Sequence, residues 1–149
     1  MPGRVALVAS CRTPFAKAGE VYKDLTALDL AKVAVRELVE RSEIDPKLVG
    51  TLVMGQVVAS VKAPNLGRET ALGALLPKSV PAHTINRACA SSNQAIADVA
   101  SAILMGHIDV GIAGGAEGEG AGGAGPGTDH RRDPRAPVRR RFREQPVAR

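Results

Sequence analysis

Aromatic side chains are almost missing from this chain: Phe15, Tyr22 and Phe142 are all it has, and there is no tryptophan. That argues against a nucleic-acid platform built on base stacking. It also means that a core must come from Ala, Val, Leu and Ile, which favours closely packed α/β layers. Cysteine is scarce too. Cys11 and Cys89 make neither a disulfide framework nor a metal-ligand pattern, and although the two could pair arithmetically, nothing suggests a secreted chain. Long apolar runs are absent: Val5–Ala9 is too short for the core of a signal peptide, and no segment approaches membrane-spanning length. The expectation is a soluble cytoplasmic protein with no targeting signal, no membrane span and no metal.

What is present is enough for one ordinary domain, at 149 residues. The net charge of +5 is unevenly spread. Up to Glu117 there are twelve Lys and Arg against eleven Asp and Glu; beyond it eight Arg face four acids, with no Lys. The body is therefore nearly neutral and is not marked as a nucleic-acid binder.

Along the body, strands and helices alternate. Val5–Ala9 reads as a strand buried on both faces. Thr26 with Asp29 forms a capping-box pattern opening a helix through about Arg41, with Ala27, Leu30, Ala31, Ala34 and Leu38 on one face. Thr51–Val58 is a second strand candidate, Asn65 can cap a helix from Leu66 to about Leu75, and Ala82–Ile85 is a third strand. An Ala-rich helix follows from Cys89 to Met105. Its single acid, Asp98, predicts that it is largely enclosed. Asp109–Gly115 is a fourth, glycine-rich strand. The alternation argues for a mainly parallel sheet with helix layers.

After Glu117 the character changes. The stretch 118–149 is rich in Gly, Ala, Arg and Pro, with only Val138, Phe142 and Val147 to bury, and is expected to be a disordered basic tail. A basic arm for nucleic acid or an anionic membrane is one reading, and a solvated tail is another. A shifted reading frame of a GC-rich gene is the third, and it best accounts for so abrupt a break. The domains are then 1–117 and 118–149.

The segment Asn86–Ala95 carries the most chemistry, because it puts Cys89 where a strand turns into a helix. A helix N-terminus favours the thiolate, which is the nucleophilic form, and its free amides can steady an oxyanion. Against this, free cysteines are usually buried packing residues. Gly111, Gly114 and Gly115 lack the companions of a phosphate loop and read as close helix–strand packing. Ser91 and Ser92 read as first-turn helix residues, Arg68 and Glu69 as a solvated face, Cys11 as core, and His83 as a packed or hydrogen-bonded histidine. His107 sits at a helix end and His130 in the tail.

Taken in order, Arg12-Thr-Pro-Phe15, Leu28-Asp-Leu30, Gly55-Gln-Val57, Asn65-Leu-Gly-Arg68, Asn86-x-x-Cys89-Ala-Ser91 and Ala113-Gly-Gly-Ala-Glu117 resemble the N-terminal half of the thiolase superfamily. Ser92-Asn-Gln-Ala95 looks more like the β subunit of the fatty-acid oxidation complex than the short-chain biosynthetic thiolases. The resemblance implies half of a duplicated α/β fold and acyl-CoA C-acyltransferase chemistry. Cys89 would take an acyl group from a 3-ketoacyl-CoA, and coenzyme A would carry it away. CoA and acyl-CoA are then substrates, and no permanently bound cofactor is expected.

In the family the base and the second proton-handling groups come from Gly-His-Pro, Cys-x-Gly and Asn-Glu-Ala-Phe motifs of the C-terminal half, and none is in this sequence. His107 is followed by Ile108 and does not fill that place. The expectation is a truncated thiolase, inactive alone, with exposed apolar surface and a tendency to self-associate or join thiolase subunits. The competing reading is a non-enzymatic fragment that only associates.

Overall fold

The computed structural model describes residues 3–17 and 20–118. Four helices and strands follow one another before the last pair: α1 (Ala27–Ser42), β1 (Thr51–Gly55), α2 (Leu66–Gly73) and β2 (Ala82–Ile85), then α3 (Ser91–Leu104) and β3 (Gly111–Gly115), with a short 3₁₀ turn at Pro46–Leu48. The sheet order is β2-β1-β3 and both pairings are parallel. The parallel α/β reading therefore holds. The disordered-tail reading falls, from residue 119 on, outside the described residues.

β1 is the central strand and is buried along Leu52–Gly55. Its alternation divides the core in two. Leu52 and Met54 face α1 and α2 with Ala31, Val35, Leu66, Ala71 and Ile112, while Val53 faces α3 with Ala95 and Val99. An apolar run without polar alternation is what a strand covered on both faces requires.

Local signals set the helix starts. Thr26 Oγ1 accepts from the Asp29 amide at 3.2 Å, and the Asp29 carboxylate accepts from the Thr26 amide at 3.0 Å. This capping box satisfies two amides that the first turn of α1 would otherwise leave open. Asn65 caps α2 by accepting from the Arg68 amide at 3.1 Å. Thr84 ties that cap to β2, accepting from the Gly67 amide and donating to Asn65.

Several expectations are corrected. Val5–Ala9 belongs to no strand, and Leu7 and Val8 are 85% and 83% exposed. An apolar run becomes a strand only where a neighbouring ladder takes its amides and carbonyls, and the three-stranded sheet does not reach it. α3 begins at Ser91, and it is covered on one side only: Ser91, Ala95 and Val99 are buried, while Ile96 and Leu104 are exposed. Scarcity of charge marked an apolar helix without showing that anything encloses it.

Arg68 is not on a solvated face. It is half-buried and donates to the carbonyls of Val80 and Lys78 at 2.8 and 3.0 Å, pinning the turn before β2. His83 is exposed on the edge strand, and Cys11 is only half-buried.

Candidate functional site

In an open parallel sheet the loops that leave the carboxyl ends of the strands gather on one edge, and a crevice opens where the strand order reverses. Here β2 lies on one side of β1 and β3 on the other, so the reversal falls at β1. The loops that meet there are Gln56–Val58, Asn86–Ala90 and Ala116–Glu117. Between them is a cleft of about 220 Å³ whose walls include Gln56, Val57, Ala88, Cys89, Ser91, Ser92 and Glu117. An adjoining cleft of about 270 Å³ between α1 and β3, which shares Gly115, Ala116 and Glu117 with the first, is lined by Cys11, and both cysteines are free.

Cys89 is exposed on the turn that links β2 to α3. That turn is shaped by its own side chains. Ser91 Oγ accepts from the Arg87 amide at 2.8 Å and donates to the Ala88 carbonyl at 2.6 Å. Asn86 Oδ1 accepts from the Ala88 amide at 3.0 Å. Ser91 is 4% exposed, so it is more than the ordinary first-turn residue its sequence position suggests. It closes the turn that displays Cys89. Behind it, Arg87 donates to Gln94 at 2.6 Å and Gln94 to Asp98 at 2.7 Å, a chain of contacts running down α3.

Ala88, next to the thiol, has φ of 45°. A left-handed backbone at a residue with a Cβ costs roughly 1–2 kcal/mol. Ala88→Gly should therefore raise the urea midpoint, by up to about 1 kcal/mol of stability. Ala88→Val should lower it by about 1–2 kcal/mol, since a branched Cβ fits that region worse. Equal midpoints for the three proteins would show that the turn carries no such strain.

The start of α3 is close against the sheet. Gly55 and Gly115 lie under Ser91 and Ser92, and a Cβ on Gly115 would collide with the Ser92 hydroxyl. Close packing is thus the role of this glycine pair. The N-cap residue Ala90 offers no side chain to the first turn, which leaves helix amides uncapped beside the cleft. Gln56, 4% exposed, has a side-chain oxygen in the same cleft wall with no hydrogen-bond partner among the described residues.

Gln56, Asn86 and Glu117 were visible in the sequence only as parts of motifs, without roles. The contacts of Asn86 and Glu117 with Val57 and Val58 span 29 to 60 residues of chain, and no local pattern encodes that. His83 and His107 do not line this cleft. Among the described residues no His, Cys, Asp and Glu group could hold a metal ion, and no helix is long and apolar enough to cross a membrane.

The fold and site define a parallel α/β/α protein that presents a cysteine at the switch point of its sheet. The chain belongs to the thiolase family: the family model for the thiolase N-terminal domain matches residues 5–132, past Glu117. It is 50% identical over 114 residues to 3-ketoacyl-CoA thiolases of Shewanella sp. (strain W3-18-1) and Shewanella putrefaciens, covering 76% of this chain and 26% of each relative. Among solved structures, the Bacillus anthracis acetyl-CoA acetyltransferase superposes with a TM-score of 0.68 at 32% identity, over 72% of this chain and 27% of that one. Human mitochondrial 3-ketoacyl-CoA thiolase in complex with CoA gives 0.63 at 32% identity, over 68% and 26%. The chain spans about a quarter of the length of these relatives.

Proposed function

We propose that this chain supplies the nucleophile-bearing part of a 3-ketoacyl-CoA thiolase of fatty-acid β-oxidation, acting in the cytoplasm. The observation that carries the reading is Cys89 at the carboxyl edge of the sheet, on a turn stiffened by Ser91 and Asn86, against the uncapped start of α3. In the proposed reaction the Cys89 thiolate attacks the 3-keto carbon of the substrate. The bond between C2 and C3 then breaks, leaving the acyl group on sulfur. The departing acetyl-CoA carbanion takes a proton. A second coenzyme A gives up its thiol proton, attacks the acyl-cysteine and leaves as a shortened acyl-CoA.

Both proton transfers need a positioned acid or base. Among the described residues no histidine lines the cleft. The chain alone should therefore release no acetyl-CoA from a 3-ketoacyl-CoA beyond a Cys89→Ser control. Mixed with a polypeptide carrying the Gly-His-Pro and Cys-x-Gly motifs, it should release acetyl-CoA, and Cys89→Ser should abolish that release. Equal release by both proteins in the mixture would remove Cys89 from the chemistry.

A second reading is a non-enzymatic partner of its own copies or of other thiolase subunits. Among the described residues the outer side of α3 leaves Ile96 and Leu104 exposed, with Met105 just beyond its end, and this favours association. Co-sedimentation with a full-length thiolase subunit and no acetyl-CoA release in any mixture would select it. A monodisperse monomer that ignores such a subunit would remove it.

A further inference from the structure

We propose that Glu117 is a positioning residue for the Cys89 cleft, its carboxylate holding the Gln56–Val58 loop in place as one wall of that cleft. The sequence offers Thr51–Val58 as one strand candidate, yet the strand ends at Gly55. The hydrogen bonds explain where it is stopped. The Gln56 amide still donates to the Ile85 carbonyl at 3.1 Å, continuing the ladder to β2. The next two amides leave the ladder. Val57 donates to one Glu117 carboxylate oxygen at 2.8 Å, and Val58 to the other at 3.2 Å.

One side chain thus takes two successive amides and turns the backbone away from the sheet. Ionised acceptors make the shorter and stronger hydrogen bonds. From the opposite side, the Asn86 side chain donates to the Val57 carbonyl at 2.9 Å, while its oxygen accepts from Ala88 beside the thiol. Glu117 itself is held in place because the Ala116 amide continues the β3 ladder to the Gly55 carbonyl at 3.2 Å.

The loop, the cysteine turn and the end of β3 are therefore one connected unit, and all three line the same cleft. Without Glu117 the Val57 and Val58 amides would have only water, and beyond Gln56 the loop would be held by the Asn86 contact to the Val57 carbonyl. The wall beside Cys89 would then yield. The link from this wall to acyl transfer rests on the reading of Cys89 as acyl acceptor; the positioning itself does not.

The test compares the full chain with Glu117→Gln and Glu117→Ala, using two readouts independent of turnover. The first is amide hydrogen exchange at Val57 and Val58. The second is the rate of Cys89 alkylation by iodoacetamide divided by its rate with a bulky maleimide, the modified cysteine being located by peptide mass. In the alanine variant both amides should exchange about tenfold faster or more, while α1 amides keep their wild-type rates. The reagent ratio should fall by about threefold as the wall yields. The glutamine variant, with one acceptor oxygen, should lie between, and it stands in if the alanine variant loses α1 protection.

Unchanged exchange at Val57 and Val58 would overturn the proposal. So would faster exchange with an unchanged reagent ratio, because the contact would then be structural only. If the ratio moves while the wild-type chain in complementation mixtures never accepts an acyl group, the positioning role stands and the thiolase reading falls.

Discussion

Truncating Leu52 to alanine should leave most of the chain unfolded at room temperature. Leu52 is fully buried at the centre of β1, in register with Ala82 on one side and Ile112 on the other. Its side chain lies in the cluster that joins the sheet to α1 and α2. Leu-to-Ala changes at such sites cost about 3–5 kcal/mol, the upper end applying where the surroundings cannot collapse. Two parallel neighbours and a helix layer restrict collapse here.

That cost reaches the lower end of the roughly 5–15 kcal/mol that whole domains hold. A chain that leaves Leu7, Val8, Phe15 and Val61 more than four-fifths exposed, at 85%, 83%, 92% and 98%, has little to spare. Leu7→Ala is the matched control and should shift the urea midpoint negligibly. Circular dichroism of both variants across urea checks the pair. A Leu52→Ala protein that melts with the wild type would mean that β1 is not the centre of the core.

The contrast between Leu52 and Leu7 also shows where the sequence was a sufficient guide. Both sit in short apolar runs. For Thr51–Gly55, flanking helices with matching apolar stripes cover both faces, and the run is a strand. For Val5–Ala9, the apolar side chains ask for burial, but a strand also needs a partner for its amides. That partner is a property of the assembled sheet and leaves no mark within five residues. α3 fails for a related reason, because low charge describes the helix while enclosure depends on neighbours elsewhere in the chain.

Signals that act over three or four residues were legible. The Thr26–Asp29 box and the Asn65 cap could be read because donor and acceptor are set by one turn of helix. The position of Cys89 on a strand-to-helix turn was legible for the same reason. What surrounds the thiol was not. Glu117 reaches the Val57 and Val58 amides across 60 and 59 residues, and Asn86 reaches the Val57 carbonyl across 29. Even the end of β1 follows from those contacts, since Val57 and Val58 are as apolar and branched as strand residues should be. The motifs pointed to these residues as a set, and the hydrogen bonds supply their physical work.

Under the proposed reading of Cys89 as acyl acceptor, a single methyl group on Gly55 should do more harm to acyl transfer than to folding. A Cβ built there lies 2.5 Å from the Ser91 carbonyl carbon and 2.5 Å from the Ser92 amide nitrogen. These are backbone atoms, so no side-chain rotation relieves the overlap, and the first turn of α3 must retreat by roughly 1 Å. The retreat carries the thiol with it, because Ser91 Oγ is bonded to both the Arg87 amide and the Ala88 carbonyl.

Overpacking of this kind costs about 1–3 kcal/mol of stability. A misplacement near 1 Å can cost on the order of a hundredfold in rate. In the complementation mixture, Gly55→Ala should therefore fold, with a lowered urea midpoint, and transfer acyl groups about a hundredfold more slowly. Gly106→Ala separates the two effects. It is strained by its φ of 75° but meets nothing within 4 Å, and it sits beyond the far end of α3. It should lose about 1 kcal/mol of stability and leave the transfer rate unchanged. Equal losses of rate in both variants would mean that stability alone governs the reaction, and that the packing of α3 on Gly55 does not place Cys89.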